Sequence, residues 1–226
     1  MADMVELTID GIKVRVPKGT TVLEAAKEMG IVIPTLCYHE GLSPYGACRL
    51  CLVEIVRGKR STLDASCTLP ASDDMVVLTN SERVKKIRKV ILELLLSSCP
   101  NSKVLQDMAA NMGVTKVRFK IKDRGCILCG LCVRYCKEQM QSGGIGFVGR
   151  GTSRKVGTAF EQTPAECRNC NGCEWICPVC MRACRAGQLV EGICGGCLNL
   201  AVVETCPICV KCSESVGPEG HTTYRK

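Results

Sequence analysis

Cys126-x2-Cys129-x2-Cys132-x3-Cys136 and Cys167-x2-Cys170-x2-Cys173-x3-Cys177, the second followed by Pro178, are two cysteine runs of identical spacing. A cubane 4Fe–4S cluster needs four thiolates converging on its corners. A tight C-x2-C-x2-C loop supplies three, and the fourth must come from elsewhere in the chain. Zinc is the competing reading. Zinc knuckles place two cysteines in each loop, and an all-cysteine zinc site closes with four ligands. Two four-cysteine runs exceed that need. Disulfides are the other competitor. The chain has 20 cysteines, yet it opens directly on a strand pattern with no secretory apolar region. No uncharged apolar run approaches a membrane span, so direct membrane insertion is not expected. Such a chain is expected to bind metal in a reducing compartment, the cytoplasm.

The two runs resemble those of bacterial two-cluster ferredoxins. In that family the fourth cysteine of each run serves the other cluster. The resemblance implies one 4Fe–4S cluster on Cys126, Cys129, Cys132 and Cys177, and a second on Cys136, Cys167, Cys170 and Cys173. Crossed ligands tie the halves together, so a domain with little apolar core can fold around its inorganic centre.

Upstream, Val5-Glu-Leu-Thr-Ile9 and Ile12-Lys-Val-Arg-Val16 alternate apolar and polar around Asp10-Gly11, a strong hairpin signal. Pro17-Lys-Gly19 turns the chain. Thr21-x-x-Glu24 is a capping box for a short helix with Val22, Leu23, Ala25, Ala26 and Met29 on its buried side, and Gly30 is its stop. Cys37, Cys48, Cys51 and Cys67 follow, with gaps of ten, two and fifteen residues. Gly46 to Cys51 reads as a tight loop able to aim backbone N–H groups at sulfur. Residues 52–56 and 75–79 read as strands. Hairpin, helix and four-cysteine loop resemble a β-grasp 2Fe–2S ferredoxin. The first gap departs from the plant-type pattern. It is similar instead to the domain opening the large iron–sulfur subunit of respiratory complex I, and to its relatives in NAD-reducing hydrogenases and formate dehydrogenases. The resemblance implies a 2Fe–2S cluster on these four cysteines; a zinc site with one core cysteine is the alternative. His39 reads as a loop residue near the cluster.

From Asn80-Ser81-Glu82 a helix is expected, with Val84, Ile87, Ile91, Leu94 and Leu95 at apolar spacing among Arg83, Lys85, Lys86, Arg88 and Lys89. Complex I-type relatives carry an H-x3-C-x2-C-x5-C motif after it. This chain retains only Cys99, so that cluster is read as lost and Cys99 as a free or buried thiol. Residues 117–121 alternate as a strand. Gly144-Ile-Gly146-Phe-Val-Gly149 fits G-x-G-x-x-G, but it lacks the strand, helix and βαβ context of a dinucleotide site. A glycine-rich hairpin is expected instead.

Seven further cysteines close the chain. Cys194, Cys197, Cys206 and Cys209 suit a zinc ribbon. Alternatively Cys206, Cys209 and Cys212 form a three-corner loop completed by Cys184 or Cys194 into a further 4Fe–4S cluster, with Cys180 also at hand. About ten irons with one zinc would fit the ribbon, about fourteen irons the extra cubane. The expected architecture is α+β. It comprises a β-grasp 2Fe–2S domain (1–79), a helical linker (80–115), a two-cluster 4Fe–4S domain (116–179) and a Cys-rich extension with a polar tail (180–226).

The formal charge of +8 counts cysteines as neutral. Four thiolates on an oxidised core leave about −2, so three clusters cancel about six positive charges. No basic stripe is interleaved with aromatics, so nucleic acid is not an expected partner. No residues assemble acid–base or nucleophilic chemistry. The resemblance implies an electron-transfer subunit with two partners, a flavin/NAD(P)-binding subunit and a further redox subunit. A free-standing polyferredoxin and a zinc-stabilised interaction module without redox work are the alternatives.

Overall fold

The structure is a computed structural model, and it describes residues 3–179 except 163, 166, 168, 169 and 171. β1 (Met4–Ile9) and β2 (Ile12–Pro17) form the expected hairpin. Asp10 and Gly11 both take positive φ, as a two-residue turn of this hand requires. The Asp10 carboxylate also accepts from the Thr79 N–H at 2.8 Å and from its hydroxyl, which fastens the turn to the end of a distant strand. α1 (Val22–Glu28) opens on the capping box, with Thr21 Oγ1 accepting from the Glu24 N–H and the Glu24 carboxylate accepting from the Thr21 N–H. Val22, Leu23, Ala25 and Ala26 are buried, with Met29 packed beside them.

β3 (Leu52–Arg57), β4 (Arg60–Ala65) and β5 (Met75–Leu78) complete a five-stranded sheet in the order β2-β1-β5-β3-β4. β1 and β5 are parallel, and the other neighbours are antiparallel. This is a β-grasp arrangement: Leu7, Ile9, Val53, Ile55 and Val77 bury one sheet face against α1. The stretch between α1 and β3 is left to carry three of the cysteines. β4 was absent from the expected strands. One phase, Arg60, Thr62 and Asp64, is polar and the other holds only Leu63 and Ala65 as apolar residues, so the strand is defined by its pairing with β3 along the sheet edge.

α2 (Glu82–Ser98) starts at Ser81, whose hydroxyl accepts from the Val84 N–H at 3.3 Å. Its buried face differs from the expected one. Val84, Arg88, Leu92 and Leu96 point inward at intervals of four, while Leu94 is exposed. Of the expected stripe, Val84 is buried, Ile91 and Leu95 are partly buried against the same core, Ile87 is half-buried, and only Leu94 faces outward. α3 (Lys103–Asn111) packs beside α2.

Residues 117–121 form no strand, contrary to expectation. Among the described residues no sheet edge pairs with them. The segment is bound to α2 instead: the Glu93 carboxylate takes both guanidinium contacts of Arg118, at 2.7 and 3.0 Å, and the Lys122 N–H donates to Ser97 O. The expected glycine-rich hairpin is present as β6 (Gly146–Val148) and β7 (Lys155–Gly157). Before it, α4 (Leu131–Arg134) widens into a π-helical turn over Tyr135–Gln139; after it comes α5 (Gly172–Trp175). No helix among the described residues is long and apolar enough to cross a membrane.

Candidate metal centres

Cys37, Cys48, Cys51 and Cys67 are all buried. The Cys48 N–H donates to Cys37 Sγ at 3.4 Å, and Cys51 Sγ lies 3.3 Å from Cys67 Sγ. Cys37 also meets Cys67 through its side chain, so contacts run 48–37–67–51 without a break. Backbone N–H groups of Ala47 and Cys48 point at the Cys37 sulfur, and those of Leu36 and Leu50 at Cys48. The loop curls this tightly because Arg49 takes left-handed backbone, φ 59°. A non-glycine residue there costs about 1 kcal/mol or more, strain that marks a constrained loop.

Crowding four thiols makes the first deprotonation easy and the later ones hard. Hydrogen bonds from Cys48 and Cys67 hold Cys37 well below the ordinary thiol range, and one from Cys67 lowers Cys51. Cys48 and Cys67 are pushed up, chiefly by those same hydrogen bonds. A cationic core among the sulfurs removes this conflict. The donor set is sulfur only, buried and joined in one network, and it therefore fits a 2Fe–2S group. His39 is a loop residue as expected: its Nδ1 accepts from the Gly41 N–H at 3.1 Å.

Arg88 braces this loop from below. Its guanidinium donates to Leu50 O at 3.0 Å and Leu52 O at 2.7 Å, the carbonyls on either side of Cys51. Desolvation lowers its pKa, and the Cys51 and Asp10 charges oppose that. Arg88→Met strands both carbonyls in the core. It is expected to cost about 2 to 4 kcal/mol, read as a drop in the urea midpoint of the full chain. Arg88→Lys is expected to recover only part of this, because an ammonium lacks the two-pronged geometry.

In the first run, Cys129 is buried and Cys126 and Cys132 are half-buried, beside the half-buried Cys177. Cys177 is 41 positions beyond Cys136 in sequence, yet its charge is felt at Cys129 and at Cys132, together with that of Cys126. The Leu128 N–H donates to Cys126 Sγ at 3.3 Å from another left-handed residue, φ 54°. Cys177 thus lies close enough to the first run for its charge to act on two of that run's sulfurs. Cys173 is also felt at Cys132, which puts the second run alongside the first. Cys167 and Cys136 are half-buried and Cys170 is exposed. Cys99 is fully buried in the same apolar cluster as Cys129, and burial pushes its thiol up to about 12. Cys180, Cys184, Cys194, Cys197, Cys206, Cys209 and Cys212, with the zinc or further-cluster expectation they carry, lie outside the described residues.

Burial pushes Cys129 and Cys132 up to about 12 from the ordinary 9.0. Both are therefore neutral at pH 7 and must lose protons to bind metal. Iron(II) loading of metal-free protein is expected to release a proton from each. Apparent affinity should then rise about tenfold per pH unit for each proton released. Titration calorimetry in buffers of different ionisation enthalpy checks this; pH-independent loading would contradict it.

Residues 2–82 match the 2Fe–2S iron–sulfur cluster binding domain model. A chain in the crystal structure of an NAD+-reducing [NiFe]-hydrogenase in its H2-reduced state superposes with a TM-score of 0.67 at 30% identity, covering 77% of this chain and 85% of that one. This chain belongs to the iron–sulfur subunit family shared by NADH dehydrogenases and NAD-reducing hydrogenases. Within that family it is similar to the NADH-ubiquinone oxidoreductase 75 kDa subunit of Reclinomonas americana, 36% identical over 70% of this chain and 26% of the relative. It is also similar to NADP-reducing hydrogenase subunit HndD of Solidesulfovibrio fructosivorans, 38% identical over 83% of this chain and 36% of the relative. The chain thus spans roughly a quarter to a third of these curated relatives' length.

Two residues of this iron–sulfur subunit escaped the cysteine pattern. Arg88 could have been found, since it lies four residues from both Val84 and Leu92 and so in phase with buried positions. Arg134 sits on a one-turn helix between two cysteines, where no period is long enough to reveal burial.

Proposed function

We propose that the chain is an electron-transfer subunit, passing single electrons between a flavin/NAD(P)-binding partner subunit and a further redox subunit. The oxidoreductase would be of the hydrogenase, formate dehydrogenase or bifurcating transhydrogenase type, working in the cytoplasm. The observation that carries this reading is the gathering of distant cysteines: Cys37, Cys48, Cys51 and Cys67 in one buried network, and Cys177 beside the first run. Its similarity to hydrogenase and NADH-ubiquinone oxidoreductase subunits supports the complex type.

In this reading residues 1–79 hold a 2Fe–2S group, 80–115 link, and 116–179 hold two 4Fe–4S groups. Residues 180–226 hold zinc or a further cluster. Cys37, Cys48, Cys51 and Cys67 hold the first group; Cys126, Cys129, Cys132 and Cys177 the second; Cys136, Cys167, Cys170 and Cys173 the third. When bound, these groups supply reversible one-electron chemistry. The chain's own work is to grip them, to exclude water with Leu36, Leu42 and Leu50, and to aim N–H donors at the sulfurs. Such donors and such burial set where a potential falls.

The test is reconstitution. The flavin subunit and the substrate subunit are mixed with NADH, with and without this chain. Electron delivery to the substrate subunit is expected only with it. Full reduction in its absence would overturn the role, and a chain that purifies free of large flavoprotein subunits would favour a diffusible carrier.

A further inference from the structure

Arg134 lies at the end of α4, two residues after Cys132 and two before Cys136. It is an arginine from the first cysteine run, and it is buried, 9% exposed. Its guanidinium reaches across to the other candidate centre, donating to Cys37 O at 2.5 Å and to Ser43 O. It also lies over the Tyr45 ring, 5.5 Å from its centroid. Its Nε is buried with no hydrogen-bond partner among the described residues. An unsatisfied buried donor is costly, so the side chain is held there by its other contacts.

Neighbouring side chains reinforce the same join. The Glu138 carboxylate accepts from the Ser43 N–H at 2.8 Å and from its hydroxyl at 2.5 Å, and its charge also faces Arg134. Gln139 Nε2 donates to Gly41 O at 2.5 Å. Tyr45 then stacks on Phe147, whose other neighbour is the Arg154 guanidinium, 4.0 Å away. The rings close over Gly130, where an added Cβ would lie 3.2 Å from both Phe147 and Tyr45. The loop that follows Cys37 is therefore clasped by the segment carrying Cys129, Cys132 and Cys136.

We propose that Arg134 is a positioning residue with two effects: it fixes the Cys37 centre against the Cys132 centre, and it keeps a positive charge between them. This rests on the electron-transfer reading above. When one electron passes, one centre is oxidised by one unit and the other reduced by one, with no bond broken and no proton moved. The site that gains the electron gains negative charge beside a buried guanidinium, so the reduced form is stabilised.

The test uses the anaerobically purified full chain, its Arg134→Met and Arg134→Lys variants, and dithionite as reductant. Iron and sulfide content, midpoint potentials by paramagnetic resonance, and spin coupling between the two reduced centres are measured. Arg134→Met is expected to keep its iron and to disfavour reduction of the 2Fe–2S centre about tenfold, a fall of about 59 mV for a one-electron couple. Its spin coupling is expected to weaken. Arg134→Lys is expected to restore the potential but not the coupling, because charge returns without the fork. Unchanged potential and coupling in an iron-replete Arg134→Met overturn the proposal. Should that variant lose iron, Glu138→Gln decides: weakened coupling with iron retained supports the clasp, and unchanged coupling overturns it. A wild-type chain without iron would instead overturn the electron-transfer reading itself.

Discussion

Cys177→Ala is expected to damage the 4Fe–4S centre of the first cysteine run, not that of its own run. The physical ground is placement: Cys177 acts on Cys129 and Cys132, with Cys126 in the same group. A cubane that loses one of four thiolates loses one to about four of its irons. The informative experiment is therefore a pair of double variants. Cys129→Ala with Cys177→Ala should lose no more iron than either change alone, because both strike one centre. Cys173→Ala with Cys177→Ala should lose about twice as much, because they strike two. Ligands confined to their own runs would give the reverse pattern, with Cys173 and Cys177 non-additive. Cys99→Ala is the control. Cys99 is buried beside this site but is not in the proposed ligand set, so iron content should not change.

Stripping iron with a chelator is expected to unfold one part of the chain and spare another. The β-grasp sheet has its own apolar core, in which Ile9, Val16, Val22, Val53 and Val77 are fully buried. Among the described residues from 116 onward, the buried apolar side chains are only Cys129, Leu131 and Val179. Little surface is removed from water there, and metal binding must supply the folding free energy. Amide exchange in α4 and the following π turn should accelerate by about 100-fold or more on iron removal, corresponding to about 3 kcal/mol of lost local stability. Amides of β1, β3 and β5 should remain protected. Equal loss of protection in both regions would mean the sheet depends on metal as well.

The hairpin, capping box, helix and most strands were legible in the sequence because each rests on local rules. Asp10-Gly11 demands positive φ, Thr21 and Glu24 satisfy each other's N–H groups, and alternation marks β1 and β2. What was not legible depends on distant partners. β4 is a strand only because β3 offers it an edge. Residues 117–121 have the alternation of a strand, but Arg118 bonds Glu93 of a helix and Lys122, just beyond, bonds Ser97 of the same helix. Arg88 reads as a surface charge until the carbonyls of Leu50 and Leu52 are seen beside it. Arg134 is likewise explained by a carbonyl 97 positions away. The cysteine spacing was readable since a cluster's size dictates it, but the clasp between the two centres depends on a tertiary contact.

Paramagnetic resonance on the oxygen-free full chain, before and after dithionite, is the measurement on which the electron-transfer reading stands. A brown protein should bleach on reduction and develop a 2Fe–2S signal together with interacting 4Fe–4S signals. A colourless protein with no signal after reduction, and with Cys37, Cys48, Cys51 and Cys67 open to alkylation, would contradict it.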